Sequence, residues 1–260
     1  MSIDDVKHEL TKRIEAFFGS YKDNNDIYYI IINVLKFVNS LLDDQNTQTS
    51  RYVYLYGSGG IGKTHFVQTL SEWIDELIPG SVLFKDIIIN SAEELEGSDK
   101  KPGTFVNVVH DQLTQNKRGA VIIIDEAAWL NDPSMIPSAK RVFNGDRSKI
   151  VTTCFGTNLD GSSLSLEAPP MLIFVAGNDM IKDPALESRF DLVNYPSPSA
   201  ESLTGYAYNI AEKSIVLKQA NCPIDKNAIL KWIQSLDIKY HNFRYIASNV
   251  EAFLLKNRKK

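Results

Sequence analysis

The residue types best suited to chemistry stand together between positions 57 and 64. They read Gly57, Ser58, Gly59, Gly60, Ile61, Gly62, Lys63 and Thr64, which is the pattern G-x-x-x-x-G-K-T. Glycines reach backbone angles closed to other residues, so successive N–H groups can turn inward around phosphate oxygens. Lys63 can then reach the β- and γ-phosphates, and the Thr64 hydroxyl is a ligand for Mg²⁺. The pattern predicts a loop that binds a nucleoside triphosphate and its magnesium ion.

The residues on either side fit this interpretation. Arg51 to Tyr56 is a β-rich, apolar run typical of a buried strand. Apolar residues recur at helical spacing from Phe66 to Leu77, until Pro79-Gly80 ends the run. A helix that begins at the end of the loop points its partially positive N-terminus at the bound anion. His65 lies in its first turn, and we include it among the residues predicted to contact the nucleotide.

A second set of candidate groups ends an apolar run. Val121 to Ile124 reads as a buried strand, and Asp125 and Glu126 follow it directly, the form called Walker B. Asp125 would support Mg²⁺ through its water ligands, and Glu126 would orient and polarise the attacking water. The alternative is two solvated acids at the start of a loop.

A third candidate, Asn178, follows the apolar run from Met171 to Ala176. Phosphoryl transfer requires positioning and charge stabilisation, so further polar groups are expected at strand ends that face the γ-phosphate. A neutral amide there can hold the water or contact the γ-phosphate. The alternative is an ordinary turn asparagine beside Gly177.

The elements that must position these groups alternate between strand and helix after residue 50, which favours a parallel sheet with helices on both faces. The strand candidates are Arg51 to Tyr56, Val82 to Asn90, Ala120 to Asp125, Met171 to Ala176 and Phe190 to Asn194. After Pro196-Ser197-Pro198, three helical patterns predict a small all-helical lid. We expect an N-terminal helical segment over residues 1–45, an α/β nucleotide-binding core over 46–196 and the lid over 197–260.

One region departs from the alternation. Within residues 148–168, Asp160-Gly161 lies between two alternating runs, which predicts a β-hairpin inserted before the Met171 strand.

Composition places weak limits on function. With 260 residues and 43% hydrophobic content, the chain can form one large α/β domain and a small helical one. The net charge of −4 gives no overall basic field to indicate nucleic acid, although a local patch can exist. Cys154 and Cys222 are far apart and lack C-x-x-C spacing, which argues against a zinc site or a disulfide scaffold. We therefore expect a reducing, cytoplasmic setting.

No segment predicts a membrane span. Met1 to Asp5 lacks the basic-then-apolar layout of a signal peptide. The most apolar stretch, Ile27 to Leu42, is too short and is interrupted by Asn33, Lys36 and Asn39. Its apolar residues fit one wide helical face, which favours a helix that packs on the core over one on a membrane surface.

Taken in order, these motifs resemble the AAA+ ATPases, a family of P-loop NTPases, over most of residues 45–257. The resemblance implies a five-stranded parallel sheet with a helical lid and Mg-dependent ATP hydrolysis. Asn178 matches sensor 1, and the hairpin before it resembles branches that contain superfamily 3 helicases and MoxR-type chaperones.

The resemblance also assigns roles to two arginines. Arg189, in the segment Asp183 to Asp191, is similar to an arginine finger that reaches the nucleotide of a neighbouring subunit. Arg244, which opens the last lid helix, is similar to sensor 2. Arginine suits both roles because its charge is permanent and its planar fork grips two oxygens. Alternatively, Arg189 pairs with Asp183 or Asp191, and Arg244 only braces a helix. An arginine finger implies a homo-oligomeric ring, with a hexamer as one expected size.

The sequence is compatible with more than one class of macromolecular substrate for an ATPase of this kind. Residues 90–103 lack the aromatic pore loop common in protein-threading members, which counts against a standard unfoldase. Lys140, Arg141, Arg147 and Lys149, with Phe155 in the hairpin, would suit a single strand of nucleic acid, or they form a solvated face. We expect an ATPase that remodels or translocates a macromolecule, with a helicase-like action on nucleic acid as one version. The alternatives are a chaperone-like protein remodeller and an ATP-gated assembly switch with slow turnover.

Overall fold

The computed structural model describes residues 2–19, 25–42, 51–98, 100–144, 149–157, 163–167 and 169–257, and it describes only the backbone within 149–167. Its strands are β1 (Arg51–Tyr56), β2 (Val82–Ile88), β3 (Gly97–Ser98), β4 (Lys101–Pro102), β5 (Gly119–Asp125), β6 (Lys149–Thr157), β7 (Ser163–Glu167), β8 (Met171–Gly177) and β9 (Asp191–Asn194).

The α-helices are α1 (Ile3–Phe18), α2 (Asn25–Leu42), α3 (Lys63–Leu77), α4 (Ala92–Glu96), α5 (Thr104–Thr114), α6 (Ile136–Val142), α7 (Pro184–Glu187), α8 (Ala200–Lys213), α9 (Ile215–Gln219), α10 (Lys226–Ser235) and α11 (Phe243–Lys256). Two 3₁₀ turns lie at Ala127–Asn131 and Ile238–Tyr240.

The five predicted long strands form one parallel sheet in the order β2-β5-β8-β1-β9. The fold class predicted from the sequence is therefore confirmed. Helices cover both faces, so the central strands are buried on both sides and read as continuous apolar runs. Tyr56 pairs with Gly177, and Ile124 pairs with Val175, so β1, β5 and β8 end at the same edge of the sheet.

The chain divides into two compact units. The first contains residues 1–56 and 64–195, and the second contains residues 57–63 and 196–260. The N-terminal helices therefore belong to the unit that contains the sheet. In the second unit, α8, α10 and α11 share a buried apolar core, which includes Leu203, Ile229 and Ile246. Within described residues 196–257 the secondary structure is helical.

Helix α2 packs against β9 and β1. Asn33, which interrupts its apolar run in the sequence, is buried, and its Nδ2 donates to Asp191 Oδ2 over 2.9 Å. Asp26 Oδ2 accepts from the backbone N–H of Asn194 over 3.0 Å. These polar residues anchor the helix on an edge strand, which agrees with the predicted core-packing helix. In the part of the chain that the structure describes, no helix has the length and apolar character needed to cross a bilayer.

The hairpin predicted before the fourth core strand is present in the backbone. β6 and β7 pair antiparallel, from Lys149 opposite Glu167 to Thr152 opposite Leu164, with an irregularity between Thr152 and Thr157. The predicted turn at Asp160-Gly161 lies outside the described residues.

Candidate nucleotide site

Two of the predicted magnesium-binding groups are in direct contact. Thr64 is the second residue of α3, and Asp125 is the last residue of β5. Thr64 Oγ1 donates a hydrogen bond to Asp125 Oδ2 over 2.5 Å. Asp125 Oδ1 accepts from the backbone N–H of Glu126 over 2.8 Å. Both carboxylate oxygens are therefore held in a fixed orientation at the edge where the strands end.

This pair fits a magnesium ion that arrives with its nucleotide. A hydroxyl and a carboxylate are hard oxygen ligands of the kind that Mg²⁺ takes. Among the described residues, no three His, Cys, Asp or Glu side chains cluster as a metal-binding group. Proteins usually hold Mg²⁺ with one or two carboxylates, the remaining ligands being water and substrate phosphate oxygens. Burial, and then the charge of Asp125, raise the pKa of nearby Asp86 above its ordinary value.

Glu126 has a left-handed backbone, with φ 53° and ψ 42°. This conformation is uncommon for residues other than glycine, asparagine and aspartate, because Cβ approaches the following carbonyl oxygen. The side chain is exposed. The turn therefore takes Glu126 out of the strand and into solvent, where a carboxylate can meet a water molecule.

The lysine of the predicted phosphate loop donates hydrogen bonds to backbone carbonyls of the same loop. Lys63 is 7% exposed, and its ammonium donates to the carbonyl of Gly57 over 2.6 Å and to that of Ser58 over 3.0 Å. Gly60 and Gly62 have φ values of 75° and 99°, in the region that favours glycine. These two glycines therefore have backbone conformations that other residues rarely adopt.

The last lid helix begins against this loop. The backbone N–H of Phe243 donates to the Gly60 carbonyl over 3.0 Å. Asn242 is the N-cap, and its Oδ1 accepts from the backbone N–H of Tyr245 over 2.8 Å. A Cβ on Gly60 would lie 3.2 Å from Arg244 Cβ, so predicted sensor 2 starts beside the loop, and Arg244 is exposed.

The remaining predicted loop residues differ in exposure. Gly59 is exposed, and Ile61 is 3% exposed and packs inward. His65 is exposed on α3, and its ring centroid lies 6.2 Å from that of Phe17.

Asn178 follows the last residue of β8 and is exposed. The segment after it is bound by two side chains that belong to none of the predicted motifs. Tyr54 Oη donates to the Asp179 carbonyl over 2.6 Å. Asn131 Nδ2 donates to the Met180 carbonyl over 3.0 Å, and Asn131 Oδ1 accepts from the Lys182 N–H over 2.8 Å. Burial raises the pKa of the Tyr54 hydroxyl to about 12, so it is protonated and able to donate at neutral pH.

Arg189 binds backbone carbonyls within its own chain. Its Nε donates to Ala185 over 3.0 Å, and its Nη1 donates to Phe143 over 2.7 Å and also to Lys140. The Lys140 and Phe143 carbonyls lie at the C-terminal end of α6, where a cation is favourable. Asp183, which we considered as a partner for Arg189, pairs with the side chain of Lys140.

Two members of the predicted basic cluster are in ion pairs. Lys140 Nζ lies 2.8 Å from Asp183 Oδ2. Arg141 forms two hydrogen bonds, of 2.9 and 2.8 Å, with the buried carboxylate of Glu96. The other two members, Arg147 and the Lys149 side chain, lie outside the described residues, as does the Phe155 side chain of the hairpin. Carboxylates of the same chain therefore already neutralise half of the cluster.

Comparisons with known proteins found distant structural similarity. No family model and no curated protein sequence matches the chain. A RuvB mutant from Thermotoga maritima is 15% identical with a TM-score of 0.47, over 84% of this chain and 60% of that one. The chain therefore spans less than two thirds of that protein. Domain III of the Thermotoga maritima replication initiation protein DnaA is 14% identical with a TM-score of 0.43, over 86% of this chain and 84% of that one.

Similarity this distant assigns no family, activity or residue role to the chain. The sheet order and motif positions of the chain itself define its class. The phosphate loop follows β1, the acidic pair ends β5 next to β8, and a helical unit follows the sheet. The chain therefore has an α/β P-loop fold, with a five-stranded parallel sheet followed by a helical unit.

Proposed function

We propose that this protein is an AAA+ ATPase that binds ATP with Mg²⁺ and hydrolyses it at subunit interfaces to remodel or translocate a macromolecule. The contact between Thr64 and Asp125 carries the proposal. A hydroxyl at a helix N-terminus beside a carboxylate at a strand end has few structural uses, and it matches the need of a magnesium–triphosphate complex.

Each residue then has a defined task. The N–H groups of residues 57–62 and the Lys63 ammonium bind the phosphates, with His65 in the first turn of α3. When bound, Mg²⁺ neutralises charge on the phosphates. Glu126 accepts a hydrogen bond from the attacking water and orients it, while Asn178 holds that water or the γ-phosphate. Arg244 contributes a fixed positive charge to the phosphates.

The substitution Glu126→Gln tests the chemistry. It keeps the shape of the side chain and removes its ability to accept a proton from the water. We expect ATP affinity to change less than about threefold and turnover to fall by at least about 100-fold. Binding is measured with a fluorescent ATP analogue and turnover by phosphate release. Unchanged hydrolysis would contradict the mechanism.

Arg189 tests the shared site. We propose that it reaches the nucleotide of a neighbouring subunit in a homo-oligomeric ring, of which a hexamer is one candidate. Arg189→Ala should lose hydrolysis and regain part of it when mixed with Lys63→Ala subunits. The two defects lie on opposite sides of one site, so an Arg189→Ala subunit with its intact loop can face a Lys63→Ala subunit with its intact Arg189. Arg189→Ala also removes the hydrogen bonds to α6, so its circular dichroism and unfolding curve must be compared with the wild type. A folded variant that never recovers on mixing would argue against a shared site.

One observation favours a second function, an assembly switch gated by ATP with slow turnover. Arg189 is bound to carbonyls of its own chain, so reaching a neighbouring nucleotide would require these hydrogen bonds to break. A subunit whose Arg189 is held in this way would hydrolyse ATP slowly until it assembles with other subunits.

A panel of candidate substrates separates these functions. Turnover is measured alone and with single-stranded DNA, RNA or unfolded protein, and oligomerisation is followed by light scattering with and without ATP. Strong stimulation by one polymer favours the motor and identifies its class of substrate. No stimulation, together with assembly that depends on ATP, favours the switch.

A further inference from the structure

The segment that follows Asn178 is bound on two sides by side chains from the strand before the phosphate loop and from the turn after Glu126. Tyr54 lies on β1, three residues before Gly57, and Asn131 ends the 3₁₀ turn that starts after Glu126. Three hydrogen bonds of 2.6 to 3.0 Å join them to the backbone of residues 179–182.

The position of the Tyr54 hydroxyl requires a glycine at position 177. Tyr54 is 1% exposed, and its hydroxyl lies over Gly177. A Cβ on Gly177 would overlap Tyr54 Oη, so the two atoms cannot coexist. The glycine before Asn178 therefore makes room for the hydroxyl that holds the residue after it.

Asn131 acts as a surrogate for a neighbouring strand. Its amide donates to one backbone group of the segment and accepts from another two residues on, as a residue of a parallel strand would. Replacing it with a residue that lacks either group leaves a backbone donor or acceptor without this partner. Asn131 itself is held in place, because it is the last residue of the 3₁₀ turn that follows Glu126.

We propose that Tyr54 and Asn131 are positioning residues for Asn178, which hold its segment in place relative to β1 and to the turn after Glu126. The inference rests on the proposed ATPase function and extends it. Neither residue touches the nucleotide in this mechanism. They act by fixing where the Asn178 amide stands at the end of β8, because a displacement of about 1 Å at a catalytic group lowers turnover substantially.

The test uses Tyr54→Phe, which removes only the hydroxyl, and Asn131→Ala. Tyr56→Phe, which removes a hydroxyl from the same strand, is the matched control. We expect kcat to fall about five- to tenfold in each test variant, with less than about a twofold change in the affinity for a fluorescent ATP analogue. Hydrogen exchange of residues 178–183 should be faster in both test variants and unchanged in Tyr56→Phe.

A second measurement separates positioning from general stability. In an Asn178→Ala background, Tyr54→Phe should lower kcat by less than about twofold, because the amide that it positions is already absent. An equal loss in both backgrounds, or no loss of kcat in an active wild type, would overturn the proposal and leave the ATPase function standing. A wild type that binds ATP and never hydrolyses it under any condition of the substrate panel would overturn both.

Discussion

Because the backbone of Glu126 is strained, we expect Glu126→Gly to increase the free energy of unfolding while it abolishes ATP hydrolysis. The left-handed conformation costs a non-glycine residue about 1–2 kcal/mol. Glycine relieves that strain but loses about 0.5–1 kcal/mol more conformational freedom on folding. Glu126→Gly should therefore increase the free energy of unfolding by about 0.5–1 kcal/mol, which corresponds to about 1–4 °C in Tm for a domain of this size.

The matched control is Glu126→Gln, which removes the same charge beside Asp125 and keeps a side chain on the strained backbone. The quantity to compare is the difference in Tm between the two variants, measured by differential scanning fluorimetry without nucleotide and confirmed by urea unfolding. Both variants should lose hydrolysis, and only the glycine variant should gain stability. A glycine variant no more stable than the glutamine variant would refute the strain at this position.

Other perturbations have equally definite outcomes. Gly60 has φ 75°, and a Cβ there would lie 3.2 Å from two side chains at the α11 N-terminus, so Gly60→Ala should lower the affinity for a fluorescent ATP analogue at least about tenfold. The control is Gly205→Ala, in open space on α8. It should leave ATP binding unchanged and increase the free energy of unfolding by about 0.5–1 kcal/mol. Arg141→Met should lower the free energy of unfolding in urea by about 1–3 kcal/mol, because it leaves the carboxylate of Glu96, which is 9% exposed, without its arginine partner. Adding Glu96→Gln to this variant should recover most of that loss, because it removes the buried charge. Since the pKa of Tyr54 is raised from its ordinary value near 10 to about 12 in the folded state, its contribution to stability is complete below pH 10 and is lost as pH rises towards 12. Tyr54→Phe should flatten that part of the curve of unfolding free energy against pH, and an unchanged curve would contradict the assignment.

The parts of the candidate site that the sequence predicted are those in which chemistry and chain order coincide. The phosphate loop is one continuous strand–loop–helix segment, so the spacing of its glycines, Lys63 and Thr64 records the geometry directly. The acidic pair at Asp125 and Glu126 was recognisable because a buried parallel strand has a continuous apolar run that ends abruptly in charge. The five strands were predictable for the same reason.

Other features depend on residues that are far apart in the chain. Tyr54 and Asp179 are separated by 125 positions, and Asn131 and Met180 by 49. A tyrosine in an apolar strand and an asparagine after a turn look like ordinary residues of those elements. Only the order of the strands brings them to one segment, so no local pattern could have indicated their contacts. The same holds for Lys140 and Arg141, which read as a basic patch in the sequence and are paired with Asp183 and Glu96 in the fold.

The sequence by itself therefore predicted a phosphate loop, an acidic pair and the individual strands of a parallel sheet, because each of these is encoded within a few consecutive residues. The tertiary structure decided which side chains hold these groups in place and which charges are already neutralised. Those outcomes depend on side-chain contacts between residues that are far apart in the chain, and such contacts form only when distant segments are packed together.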